Sequence, residues 1–504
     1  MSVAEFFVAR FICNVNAYSF AMADAKQRQE LTLFDVTNLV VGSIIGADIY
    51  VASAFGAGLL GPFSLVVWVA GGIIAIIIAL CFAQCSALLP KVGGPYAYAH
   101  EAWGPFAGFT VGWSLWLAEW MSLAVFPVAF TQYLMFFLPG LTLPLQLVVK
   151  TLFVLFLIFT NIAGVKAAGR TNDVLTITKL APLVFFAVAG IVYIALHVPT
   201  AIGNFTPFVP LGLGNFGGAL VLIFWAYAGF EISTIPAEEI REPSKTIPKA
   251  IIFGITIVTV FYLVTNTVLF GVRPWSLLQN DKAPLTTATS NMLAHWPLLA
   301  LVGVLIVGVG ALISVAGSDE SGMIGTSQLG YALAADGLFP LSFAKIHPRF
   351  KTPYLGIIIQ AATALAAALI ATFYADGLGT LIATSVFFMA IAYVATSASI
   401  YTLRKKHTAQ FKLPGGLSIP ILGAAFSIYL ITQCSLTQIS LGLILLLIGI
   451  PIYVKYTPKK EIAELKQVLL NPQNIAKRLE DREHVFLANL LRHIKKLYRR
   501  TKQK

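Results

Sequence analysis

The stretch that decides the fold is VVGSIIGADIYVASAFG, residues 40–56. It is apolar enough to lie in a membrane, yet its middle holds Gly42, Ser43, Gly46 and Asp48. Glycine alone in a membrane helix can serve close helix packing. Glycine beside an acid at membrane depth instead predicts a helix that is interrupted inside the bilayer.

A second stretch of this kind is LIFWAYAGFEIST, residues 222–234, which again places small and polar residues at the centre of an apolar run. It falls five spans after the first stretch, so the two occupy corresponding places in two halves of the chain. Such a pair of interrupted spans predicts an inverted-repeat transporter with its binding site near the midplane of the membrane.

Composition supports a membrane protein. The chain has 504 residues, of which 58% are hydrophobic and only 11% are charged, and its mean hydropathy is +0.82. A soluble protein carries roughly a quarter charged residues. Because lipid offers no partners for backbone groups, these spans must be helical, and the period-two alternation of a membrane β-barrel is absent. The fold class is therefore an all-α polytopic membrane protein.

About twelve transmembrane helices can be assigned from the apolar runs and the turn residues between them. They are expected near 34–58, 63–89, 104–138, 144–165, 172–197, 215–238, 248–271, 297–333, 353–373, 378–403, 418–434 and 437–456. The division that follows is a cytoplasmic segment 1–30, a transporter domain 31–456 (repeat one 34–197, repeat two 215–403, extra helices 418–456) and a basic cytoplasmic tail 457–504.

The distribution of Lys and Arg predicts the orientation. With the N-terminus inside, the inner loops hold most of the basic residues, whereas the outer loops hold little beyond Arg273 and Lys282. By the positive-inside rule, both termini are cytoplasmic. The net charge of +12 is thus explained by membrane topology, and no folded basic domain suggests nucleic-acid binding.

The two ends of the chain leave questions open. Met22 opens a stretch that resembles a natural start, so residues 1–21 are interpreted as an upstream extension. The tail from Pro458 onward combines an amphipathic pattern with basic residues. It either lies on membrane lipid as an interfacial helix or is a solvated basic tail.

Five motifs together resemble the amino acid–polyamine–organocation superfamily, in order and at that family's spacing over about residues 30–456. They are GSIIGADIY (42–50), GGPYAY (93–98), WAYAGFE (225–231), PAEEIREPSKTIPKAI (236–251) and LGYALAADGLFP (329–340). The resemblance implies a five-plus-five inverted repeat with broken helices 1 and 6 and two extra C-terminal helices. It also implies a substrate held between the two breaks, where unpaired N–H groups face a carboxylate and C=O groups face an ammonium. The substrate-binding residues implied by position are Ser43, Ile44, Gly46, Ala47, Asp48, Trp225, Ala226, Tyr227, Ala228 and Glu231.

The resemblance implies a secondary active transporter of amino acids or related amines in the cytoplasmic membrane, working by alternating access with proton coupling or exchange. No enzyme motif, cofactor motif or metal-ligand spacing of His and Cys occurs. The alternatives are a transporter of polyamines, other organic cations or metal cations, and a sensor built on a transporter fold. Oligomeric state cannot be read from the sequence.

Ionisable residues at membrane depth need a role or a partner, because each costs at least about 2.5–3.5 kcal/mol to insert. The family resemblance implies that Lys179 lies where sodium-driven relatives of this fold bind an ion, so it is a candidate for coupling to protons or for a fixed cation. The alternative is a lysine that snorkels to water. Asp319 and Glu320 are further coupling candidates.

Asp48 departs from the family motif, which usually has glycine there. A carboxylate at this point repels a substrate carboxylate and attracts an ammonium. It therefore either faces the substrate and selects an amine, or pairs internally with Lys179.

The topology can be tested with single cysteines. A cysteine at residue 281 should react with a membrane-impermeant thiol reagent from outside, and one at residue 245 or 405 only from inside. Labelling of either inner position from outside would overturn the twelve-span map.

Overall fold

The structure is a computed structural model that describes residues 31–457, except 92, 165–168, 232–239, 375, 409–410, 412 and 414. Within helices, the side chains of residues 169–178 and 244 are also outside the description. The predicted segment 1–30 and all of the predicted tail after residue 457 lie outside the described residues.

Helices make up almost all of the described chain. Short 3-10 turns lie among them, at Gly61–Phe63, Trp225–Tyr227 and Leu341–Ala344. The helices are α1 Leu33–Ile44, α2 Ala47–Leu60, α3 Ser64–Leu88, α4 Pro95–Trp103, α5 Pro105–Phe137, α6 Leu143–Ala163, α7 Gly169–Leu196, α8 Val198–Asn204, α9 Phe216–Phe224, α10 Pro243–Val272, α11 Trp275–Leu278, α12 Pro284–Met292, α13 Pro297–Ala335, α14 Tyr354–Ala371, α15 Gly377–Lys406, α16 Ser418–Gln433 and α17 Leu436–Tyr456.

The prediction of an all-helical membrane protein is confirmed. Among the described residues, nine stretches are long and apolar enough to cross a membrane, and three shorter apolar helices accompany them. One of the nine, Ala47–Leu88, has 42 residues, about twice what a single crossing needs. The 3-10 turn at Gly61–Phe63, where Gly61 has φ of +64°, divides it into α2 and α3.

The helices separate a lipid-facing surface from a core. On α6, Leu152, Phe156 and Phe159 are 60% to 71% exposed, whereas Phe153 and Leu157 are buried. Large apolar side chains that face away from the core have lipid as their natural surroundings, because each would cost about 1.5–3 kcal/mol in water. This two-faced pattern places α6 at the periphery of the bundle.

The short helices α1, α2 and α9 lie inside the bundle. α1 packs against α7 and α10, and α2 packs against α9 and also contacts α13. Close to α1, an isolated backbone bridge joins Leu31 to Ile240. The longer helices therefore surround the two stretches that the sequence marked as interrupted.

Candidate functional site

The first predicted interruption is present in the structure. α1 ends at Ile44 and α2 begins at Ala47, so Ile45 and Gly46 separate two half-helices. Position 46 requires glycine because α13 lies close to the backbone there: a Cβ would lie 2.6 Å from the Ser318 hydroxyl oxygen on α13. No other residue lets α13 come this near to the break.

Side chains satisfy the carbonyl groups that the first break frees. The Ser318 hydroxyl donates to Ile45 O at 3.2 Å. The Lys179 ammonium on α7 donates to Gly42 O at 3.1 Å and to Ser318 Oγ at 3.0 Å. Because Lys179 is only 4% exposed, the snorkelling alternative does not describe this conformation. The lysine instead ties α7, α1 and α13 together at the C-terminal end of α1, where helix carbonyls favour a cation.

Asp48 satisfies the N–H side of the same break. Its Oδ2 accepts the Gly46 N–H at 3.1 Å and the Tyr262 hydroxyl of α10 at 3.3 Å. The Asp48 side chain is 6% exposed. None of the ion pairs found in the described residues joins Asp48 to Lys179.

The second interruption follows α9. After the 3-10 turn Trp225–Tyr227, Ala228 is extended and Gly229 has φ of +115°, a backbone conformation that favours glycine. The Gly229 N–H donates to Glu231 Oε2 at 3.0 Å. A glycine N–H therefore meets a buried carboxylate two residues further along the chain at both breaks.

A direct contact joins the two breaks. The Ser43 hydroxyl lies 3.0 Å from Gly229 O and 2.9 Å from Val40 O. A Cβ at Gly229 would lie 2.7 Å from Ser43 O, so the two backbones meet where a larger residue would not fit. The two breaks thus lie against one another, and among the predicted binding residues Ile44, Ala47, Ala226 and Ala228 are buried.

The aromatic residues of the second break are held in the core. Trp225 Nε1 donates to Ser122 Oγ at 3.0 Å, and Ser122 lies 2.9 Å from Ser385 Oγ. The Tyr227 hydroxyl donates to Trp68 O at 2.7 Å. These bonds fix both rings in this conformation, Trp225 toward α5 and Tyr227 toward α3.

The acids predicted for binding and for coupling fall into separate groups. Asp48 and half-buried Glu320 are the carboxylates whose charges act on Lys179, whereas Glu231 is close to Glu119 of α5. Asp319 is 1% exposed, and neither carboxylate oxygen has a hydrogen-bond partner in the described structure. These acids are therefore distributed over both breaks, α5 and α13.

Two residues of the site were missed from the sequence. Ser318 immediately precedes the candidate Asp319, and Tyr262 sits in the middle of an apolar span, where a hydroxyl is unusual. The polar atoms of both residues could have been noticed, but their partners on α1 depend on tertiary packing. As for metals, the described residues contain no group of three or more His, Cys, Asp or Glu that could hold an ion.

Comparison with known proteins identifies the family. A family model described as amino acid permease matches residues 31–451. The chain belongs to this amino acid permease family. Membership makes it an integral membrane transporter of small molecules such as amino acids or amines, and confirms both the superfamily resemblance and the exclusion of an enzyme.

Individual permeases and exchangers are similar along nearly their whole length. The branched-chain amino acid permease BcaP of Bacillus subtilis (strain 168) is 29% identical over 453 residues, which are 86% of this chain and 94% of the relative. The serine/threonine exchanger SteT of the same organism is 29% identical, covering 86% and 98%. The arginine/agmatine antiporter of Chlamydia pneumoniae is 26% identical, covering 87% and 92%.

Replacing the lysine at the first break tests its role. Lys179→Ala should abolish accumulation of solute in proteoliposomes and leave the purified protein folded, because it removes the cation that joins α1 to α13. Lys150→Ala is a matched control, since Lys150 is also buried but bonds Thr372 at 2.7 Å, away from the break.

The readouts are radiolabelled uptake at several pH values, and thermal stability for folding. Uptake that survives in Lys179→Ala with an unchanged pH dependence would make this lysine a structural residue. Lys179→Met removes the charge but keeps the length of the side chain, and it replaces Lys179→Ala in this test if the alanine variant does not fold.

Proposed function

We propose that the chain is a secondary active transporter that moves a small amine-bearing solute by alternating access, coupled to protons or to exchange. The observation that carries this proposal is that both helix breaks already hold a carboxylate of the chain itself. Asp48 accepts the Gly46 N–H, and Glu231 accepts the Gly229 N–H.

The start of a helix is an anion site, because its first N–H groups lack partners within the helix and its dipole favours negative charge. In a carrier of zwitterionic amino acids, the carboxylate of the solute can occupy such a site. Here, Asp48 lies in the first turn of α2 and takes the Gly46 N–H from within. The solute therefore does not need to bring a carboxylate.

Electrostatic energy also favours a solute without a carboxylate. A solute carboxylate about 4 Å from Asp48 or Glu231 would be opposed by about 4 kcal/mol at an effective dielectric constant of about 20. An ammonium at that distance would be attracted by a similar amount. The pair of buried acids thus favours an amine that lacks a free carboxylate over its parent amino acid.

The arrangement of the helices supports the proposed inverted repeat of five plus five spans. In that scheme α1 with α2 corresponds to α9, and α10 corresponds to α3. The contact of α1 with α10 then has its counterpart in the contact of α9 with α3, and both contacts occur. In the same scheme α5 corresponds to α13, and α7 corresponds to α15. The contact of α5 with α15 then has its counterpart in the contact of α13 with α7, and both contacts occur. The two extra spans are α16 and α17.

For coupling we propose Lys179 together with Asp319 and Glu320. Lys179 bonds α1 and α13 at once, so a change in its charge would alter how the first half-helix is held. An ionised Asp319 without a partner would be costly at membrane depth. A proton or a cation must therefore accompany its charge during the transport cycle.

Other functions make different demands. A carrier of polyamines or other organic cations would use the same acids and is covered by the same experiment. A metal-cation transporter would use carboxylate oxygens as hard ligands. A non-transporting sensor would bind solute without uptake into proteoliposomes. We also propose that the protein lies in the cytoplasmic membrane with both of its termini inside the cell.

The specificity test exchanges the acid at the first break. Asp48→Gly should weaken binding of an amine by at least about 30-fold, because loss of a desolvated charge partner costs about 2–5 kcal/mol. Binding of the parent zwitterion should improve or stay unchanged, since the Gly46 N–H becomes available to its carboxylate. Asp48→Asn removes the charge but keeps an oxygen that can accept the Gly46 N–H, so it should weaken binding of the amine as the glycine variant does. Glu242→Gln, at an exposed acid paired with Lys245, should change neither ligand.

Binding to purified protein can be measured with leucine and 3-methylbutylamine, and with arginine and agmatine, pairs that differ by one carboxylate. Equal loss for amine and amino acid, partly rescued by Lys179→Ala, would retire the substrate-facing role of Asp48. Uptake of the bound ligand into proteoliposomes separates transport from sensing.

A further inference from the structure

A polar cavity of about 270 Å³ lies beside α2, within two turns of Asp48 along the same helix. We call it the mouth cavity. Its wall includes Tyr50, Gln132, Asn280, Asp281, Lys282 and Asp376. Asn280, Lys282 and Asp376 are exposed, so the cavity opens to solvent on the side that the topology places outside.

One of its two carboxylates is already occupied. Asp281 Oδ1 accepts the Ala283 N–H at 2.9 Å and the Thr287 hydroxyl at 3.2 Å, and Oδ2 lies 3.2 Å from the Arg273 guanidinium. Asp281 therefore shapes the start of α12 and is neutralised by Arg273. It is not the carboxylate that would receive a ligand.

The other carboxylate is available. In the described chain, no hydrogen bond or ion pair involves the Asp376 carboxylate, although Asp376 precedes the first residue of α15. Gly379 lies beneath it, and a Cβ there would collide with an Asp376 oxygen. The absence of a side chain at Gly379 thus leaves the carboxylate lying over the first turn of α15, at the wall of the cavity.

We infer that the mouth cavity is a second binding site, in which Asp376 receives the ammonium of the solute before it reaches the helix breaks. The cavity is slightly smaller than the about 300–1,000 Å³ of pockets for drug-sized ligands, which fits a small amine. Tyr50 lies in its wall two residues after Asp48, so the cavity and the first break are on the same half-helix, α2.

The inference rests on the proposed function for the nature of the solute, but it can be tested without transport. A cysteine in the cavity wall reports occupancy by its reaction with a charged methanethiosulfonate. Asn280→Cys supplies that thiol, and Cys13→Ser removes the cysteine outside the described residues, while Cys81, Cys85 and Cys434 are buried. Purified protein in detergent makes the result independent of orientation in the membrane.

Asp376→Asn in this background should slow the cationic trimethylammonium-ethyl reagent by about two- to fivefold, the range expected for one exposed charge. It should not slow the anionic sulfonatoethyl reagent. Methylamine, 3-methylbutylamine and agmatine should protect the thiol when Asp376 is present and lose that effect in Asp376→Asn. Asp376→Glu should restore protection, and Lys282→Gln, which neutralises the other free charge of the wall, should retain it.

The inference is overturned if the amines do not protect the thiol, or protect it equally in Asp376→Asn. Equal loss of protection in Lys282→Gln would also overturn it, because protection would then follow the loop and not the Asp376 charge. Absence of uptake into proteoliposomes would instead count against the transporter proposal and leave the thiol result unaffected.

Discussion

A helix that stops inside a membrane leaves backbone groups that lipid cannot satisfy, and the described structure depends on how these groups are paired. At the first break, Ser318 bonds Ile45 O, Lys179 bonds Gly42 O, and Asp48 bonds the Gly46 N–H. Each bond comes from a different helix or from the break itself. The break is therefore a junction where α1, α2, α7 and α13 are held in register by a few polar contacts.

Such a junction suits the alternating access that we propose, because its bonds could be exchanged for bonds to a solute. Hydrogen bonds to charged groups are worth about 1.5–3 kcal/mol each, so a ligand of matching charge can compete with them. In the proposed function, the carboxylates on the N–H side of both breaks determine which ligand binds. Lys179 sits on the carbonyl side of the first break, so the basic and acidic side chains lie on opposite sides of that break.

The sequence predicted the helices well because membrane spans are long, apolar and separated by turn residues. The first span was expected at 34–58, and the structure has α1 and α2 over Leu33–Leu60. The position of the break followed from Gly46 and Asp48, which have no reason to lie in an uninterrupted span. Pairing across the bundle did not follow, since nothing local connects Ser318 with Ile45 or Tyr262 with Asp48. The sequence also left open an Asp48–Lys179 ion pair, whereas in the structure Lys179 donates to Gly42 O and to Ser318 Oγ.

Family membership accounts for a transporter of small molecules such as amino acids or amines, and the relatives bear the names of different solutes. We propose that the residues at the breaks determine the choice of solute. The most direct measurement is calorimetric titration of the unmodified protein with leucine and arginine, each against its decarboxylated amine. The account predicts that each amine binds at least about tenfold more tightly than its parent, a difference of about 1.4 kcal/mol. Equal or tighter binding of the amino acids would contradict it.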